Sequence, residues 1–130
     1  SWKFIFIHHT VGGNGTDEDA SNYGRGGGRA AYIGEQRTVH EIMQEHGTQA
    51  FFYGHDHVFV DIPVDGIHYT CAGRAGGMAS FYEYSGYESF DYNTDPGRTI
   101  VEVKSNELVE VSYVNQSEVV VASYIIENTN

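Results

Sequence analysis

Cysteine is almost missing from this sequence. Cys71 stands alone among 130 residues, which excludes an internal disulfide framework and any cysteine-built zinc site. Proline is scarce, with two residues, and basic residues are few. Seven Lys and Arg face eighteen Asp and Glu, a formal net charge of −11. That balance argues against a grip on the phosphate backbone of DNA or RNA and against docking on anionic lipid. No apolar run approaches the roughly 20 residues of a membrane-spanning helix. The chain opens Ser1-Trp2-Lys3 with no methionine, cationic stretch or signal-like apolar run. A strand-like segment begins at once, so a cut or processed piece of a longer chain is expected.

Glycine, tyrosine and histidine are plentiful, at sixteen, ten and seven residues, with 40% hydrophobic and 14% aromatic content. Such content is too rich for a disordered chain and fits a Gly-rich, β-containing single domain over 1–130. Phe4-Ile5-Phe6-Ile7 is wholly apolar and reads as a strand buried on both faces. A polar, Gly-rich loop from Val11 to Tyr32 follows, and loops of that length usually carry function or disorder. Gly34 to His46 reads as a helix, with Val39, Ile42, Met43 and His46 on one face and Gly47 as its stop. Ala50-Phe51-Phe52-Tyr53 is a second apolar strand. Val58 to Pro63 and Ile67 to Cys71 read as strands around a Val64-Asp65-Gly66 turn. The Tyr-rich stretch 78–97 has no clear assignment, and packing is the expected role of its tyrosines. Thr99–Lys104, Leu108–Val114 and Val119–Ile126 form a terminal meander over about 98–126. The fold class expected is α/β: a mixed β-sheet with one main helix and a C-terminal antiparallel β-meander.

Histidines at strand ends carry the chemistry. His8 follows one apolar strand, and His55 and His57 follow another in Gly54-His55-Asp56-His57. Ligands in open α/β sheets bind at the carboxyl ends of strands, so the two ends are expected to converge. Gly54 is expected to let the backbone leave its strand sharply. In an extended segment His55 and His57 would share one face; in a tight turn they could address two adjacent metals. Imidazole nitrogen suits Zn, Fe, Mn and Cu. His40, His46 and His68 read as ordinary hydrogen-bonded or helix-end residues. A His-x-His β-barrel of the cupin type is disfavoured, because Asp61 stands where that pattern wants glutamate and Gly66 comes too early.

Lys3-Phe4-Ile5-Phe6-Ile7-His8-His9-Thr10, Glu45-His46-Gly47, Phe51-Phe52-Tyr53-Gly54-His55-Asp56-His57 and Gly66-Ile67-His68-Tyr69 occur in this order, followed by Ala72-Gly73 and Gly76-Gly77. Together they resemble the second half of a calcineurin-like metallophosphoesterase, the superfamily of the purple acid phosphatases. The motifs cover residues 3–77, and the meander resembles the family's β-sandwich by topology. The resemblance implies His8 and His55 on one metal and His57 on the other, with His9 in a supporting position near the phosphate. Arg25 and Arg74 are candidate phosphate contacts, since guanidinium suits phosphate geometry. It further implies a metal pair of Fe, Mn or Zn and hydrolysis of phosphate esters by metal-bound hydroxide. The family's Asp-x-His, Gly-Asp-x-x-Asp and Gly-Asn-His motifs do not occur here. The chain therefore resembles a C-terminal half that is inactive alone. The expected partners are the N-terminal half of the same enzyme and a phosphoester, with exposed sheet edges also open to a second copy or a swap. A non-catalytic histidine metal-binding or interaction module is the alternative. Acidity and tyrosine content lean towards a secreted or periplasmic setting.

Overall fold

The structure, a computed structural model, describes residues 1–8, 35–54, 56–76, 87 and 90–129, with the helix side chains described from residue 39 onward. The order of elements is β1 (Phe4–Phe6), α1 (Glu35–Glu45), β2 (Ala50–Tyr53), β3 (Phe59–Val64), β4 (Ile67–Ala72), β5 (Tyr92–Asn93), β6 (Gly97–Val103), β7 (Leu108–Asn115) and β8 (Val120–Glu127). The first five strands make one sheet in the order β1-β2-β4-β3-β5, and the last three make a meander, β6-β7-β8. In the first sheet β1, β2 and β4 run parallel while β3 is antiparallel to β4. This is the expected α/β class, a mixed sheet with one helix and an antiparallel meander.

Alternation along the strands builds two cores. Phe51 and Tyr53 of β2, Val60 and Ile62 of β3, and Ile67, Tyr69 and Cys71 of β4 pack on one face with Met43 of α1 and Tyr87. Ala50 and Phe52 point the other way and meet Val109, Val111 and Ile126 of the meander. Phe59 belongs to that second side and stacks on Tyr113 of β7 at a centroid distance of 4.8 Å. The layers are thus helix, mixed sheet, meander. Each large apolar side chain buried in them contributes about 1.5–3 kcal/mol.

Local chemistry sets the connections. Gly47 takes φ 68° after α1. Thr48 N–H reaches Met43 C=O at 2.9 Å and Gly47 N–H reaches Gln44 C=O at 3.1 Å, which is the Schellman termination that glycine favours. Asp65 and Gly66 both have positive φ, 52° and 79°, as a two-residue hairpin turn of the Asp-Gly kind requires.

Two sequence expectations need correction. β1 is not buried on both faces. It is the edge strand of the described sheet, and Phe6 and Ile7 are 69% and 49% exposed. Apolar composition marked a strand but could not say how many neighbours it has. The inward side of α1 is also rotated: Val39, His40 and Met43 turn inward, while Ile42 is 49% exposed and His46 is exposed. Hydrogen bonds explain it. His40 Nε2 is hydrogen-bonded to the Asp65 carboxylate at 2.9 Å and its Nδ1 to the Tyr69 hydroxyl at 2.5 Å. The polar pair pulls a histidine into the position that periodicity assigned to isoleucine. The long loop Val11–Tyr32 and most of 78–97 lie outside the described residues.

Candidate metal centre

Because β1, β2 and β4 are parallel, their carboxyl ends share one edge of the sheet. The β1–β2 pairing continues past the strands. Ile7 N–H donates to Phe52 C=O at 3.0 Å, and Gly54 N–H donates to His8 C=O at 3.0 Å. These bonds carry His8 beside Gly54, and a Cβ added to Gly54 would lie 3.7 Å from His8 Nδ1. The chain then folds tightly, with Asp56 N–H donating to Gly54 C=O at 2.9 Å. His57 follows with φ 53°. The left-handed conformation thus falls on the histidine rather than on Gly54, which was expected to supply the sharp exit. Histidine tolerates that region better than most side chains.

Asp56 is the residue that sequence reasoning passed over as the variable position inside the motif. Its carboxylate is 1% exposed and accepts a hydrogen bond from the Tyr87 hydroxyl at 2.7 Å. Tyr87 has one hydroxyl proton, so it accepts in turn from Tyr53, 2.8 Å away. Burial, followed by the neighbouring Tyr53, Cys71 and Asp56, pushes the Tyr87 phenol far up, so it stays a donor. Cys71 lines the same pocket of structure, with Sγ donating to Gly54 C=O at 3.6 Å. Burial first and Asp56 second push its thiol up to about 12, which leaves it a neutral, unreactive filler. The sequence signal for this network was an acidic residue between two histidines, within a short turn joining two apolar segments.

His8 is exposed and His57 half-buried. A shallow depression of about 390 Å³ opens at this edge, against Phe6, Ile7, His8 and Gly54. His55, His9 and Arg25 lie outside the described residues. Among the described residues no three His, Cys, Asp or Glu side chains form a group that could hold a metal ion. Two imidazole donors from neighbouring strand ends are a chemically suitable beginning of a Zn, Fe or Mn site. Arg74 stands two residues beyond β4, at the same edge. Its Nε donates to Thr94 C=O at 2.9 Å, and its own carbonyl accepts from Gly97 N–H at 2.9 Å. It ties the end of β4 to the start of the meander.

The other histidines sit elsewhere. His40 bridges α1 to the β3–β4 hairpin, as described above. His68 Nδ1–H donates to Asp61 at 2.8 Å, and its ring stacks on Tyr124 at 4.8 Å. Thr70 Oγ1 donates to the other Asp61 oxygen at 2.9 Å and bonds the Tyr124 hydroxyl, making a polar seam between sheet and meander. His46 is exposed, and its carbonyl accepts from Lys3 Nζ.

Comparison with solved structures places this architecture. The chain is similar to purple acid phosphatase PPD1 from yellow lupin (Lupinus luteus) seeds, with a TM-score of 0.59 at 13% identity, over 97% of this chain and 25% of that one. The fold is metallophosphoesterase-like. A second similarity, at TM-score 0.60 and 14% identity, is to GAP50, described as the anchor in the inner membrane complex of Plasmodium. It covers 98% of this chain and 37% of that one. The chain thus spans well under half the length of either protein. No protein-family model and no curated protein matches the sequence.

Proposed function

We propose that this chain is the C-terminal portion of a dinuclear-metal phosphoesterase, with His8, His55 and His57 as its metal ligands. The supporting observation is the junction of two strand ends: the Gly54 N–H to His8 C=O bond of 3.0 Å brings His8 and the 54–57 turn together at the carboxyl edge. That edge is where open α/β sheets bind ligands. When bound, metals of this class polarise a phosphoryl oxygen and lower the pKa of water. The chain's own residues have narrower tasks. His8 and His57 present nitrogen donors from adjacent strands, and Asp56 stays in the interior on Tyr87. Arg74, and Arg25 with it, remain candidate phosphate contacts. The carboxylates of the missing motifs belong to the other half of the enzyme. The exposed Phe6 of edge strand β1, and Ile7 just after it, give that half a place to dock.

A second reading is favoured by the similarity to a protein described as an anchor. In it the same histidines serve a non-catalytic metal-binding or interaction module. The coding sequence upstream of Ser1 separates the two. The phosphoesterase reading expects Asp-x-His, Gly-Asp-x-x-Asp and Gly-Asn-His motifs there. It also expects a protein carrying both halves to take up two metals and hydrolyse a chromogenic phosphoester. An upstream sequence without those carboxylates, or a two-half protein that binds metal but hydrolyses no phosphoester, would overturn it in favour of the module.

A further inference from the structure

We infer that Tyr87 is a positioning residue, fixing the Asp56–His57 turn through the buried Asp56 carboxylate. The inference rests on the proposed function for its purpose and on geometry for its content. The turn carries an unfavourable backbone, with His57 at φ 53°. Left-handed backbone in a non-glycine residue persists only where surrounding structure holds it. Beside the Asp56 N–H to Gly54 C=O bond of the turn itself, a relay of three groups braces it from the core. Tyr53, on β2, donates to Tyr87 at 2.8 Å, and Tyr87 donates to Asp56 at 2.7 Å. Tyr53 and Tyr87 are 2% and 0% exposed, and Asp56 is 1% exposed, so water does not substitute for either bond. A buried carboxylate is costly unless hydrogen-bonded, and the chain meets that requirement by bringing Tyr87 in from a segment 31 residues away.

The consequence is a link between two parts of the sequence. Tyr87 and Phe90, with Phe90 packed on the same core and its N–H bonded to Tyr87 C=O at 2.9 Å, together clamp the histidine turn. Outer groups that orient metal ligands commonly control affinity by about 10–100-fold when removed. Tyr87 does so at one remove, by holding the residue beside the ligand rather than the ligand itself.

The test is amide hydrogen exchange by NMR on the chain and on Tyr87→Phe, read at Asp56 and, as a control, at Val109 and Val111 of β7. Tyr87→Phe keeps the ring and removes the bond. The expected result is lost protection at Asp56 with the β7 amides unchanged. Equal loss at all three sites would assign Tyr87 a merely structural role, and unchanged protection at Asp56 would also overturn the inference. Tyr53→Phe leaves the Tyr87–Asp56 bond in place. It should keep most of the Asp56 protection, and loss equal to that of Tyr87→Phe would contradict the proposed order of the relay. Zn²⁺ affinity forms a separate arm, in which Tyr87→Phe should bind about 10-fold more weakly. If the unaltered chain binds no Zn²⁺ at all, the metal reading of the site fails while the exchange result still decides the role of Tyr87.

Discussion

Single residues in this chain are defined more by what they bond than by their type. Asp56 is acidic, lies between two histidines and is nonetheless interior, because Tyr87 meets it. Cys71 is a thiol beside the candidate site and is nonetheless inert, since burial raises it from 9.0 to about 12. Burial likewise raises the phenols of Tyr69, Tyr87 and Tyr124 above their ordinary value of 10.0. All four groups prefer the neutral form when folded. Between about pH 9 and 12 the folded chain therefore binds more protons than the unfolded one. Their contribution to stability is fully present below pH 9 and is lost as pH rises towards the folded values. Thermal unfolding followed by circular dichroism should show a midpoint that falls steadily from pH 9 upward. Phenolate absorbance from the buried tyrosines should appear together with unfolding rather than before it. A midpoint flat to pH 11 would contradict this picture of the interior.

At the level of elements, the contact between sheet and meander depends on close backbone approach at Gly73. Its φ is 89°, and a Cβ there would meet the Tyr113 ring at 2.3 Å. Tyr113 cannot easily retreat, because it stacks on Phe59 and its hydroxyl donates to Asp95 C=O at 2.5 Å. Gly73→Ala should destabilise the chain by about 3 kcal/mol through overpacking and left-handed strain, measured as a lower midpoint in urea. A change within about 0.5 kcal/mol, the range of ordinary surface substitutions, would show that the layers can separate there without cost. Legibility followed the same divide between local and distant causes. The Asp65-Gly66 hairpin, the Gly47 stop and the alternation of β7 were readable because turn chemistry and period are local. The two-residue strand β5 and the start of β6 at Gly97 were not, because pairing with β3 and with Asn115 of β7 creates them. His8 and the Gly54–His57 turn were legible as strand-end features. Their junction needed the parallel β1–β2 register. The inward turn of His40 was hidden because its partners, Asp65 and Tyr69, lie 25 and 29 residues away.

For the whole molecule, the helix, mixed sheet and meander form a metallophosphoesterase-like fold that spans 25% of the lupin phosphatase chain. The edge proposed as the metal site is one-sided: β1 lies at the border of the described sheet, with His8 and Gly54 beside it. Under the proposed function, with the carboxylate ligands supplied by another segment, weak metal binding without turnover is the behaviour expected of the chain by itself. The decisive measurement is a Zn²⁺ titration of the chain followed through its histidine imidazole NMR signals. The proposed ligand set predicts that His8, His55 and His57 shift together while His40, His46 and His68 stay in place. Movement of a different set of histidines, or no movement of these three at saturating Zn²⁺, would contradict the assignment of this edge as a metal centre.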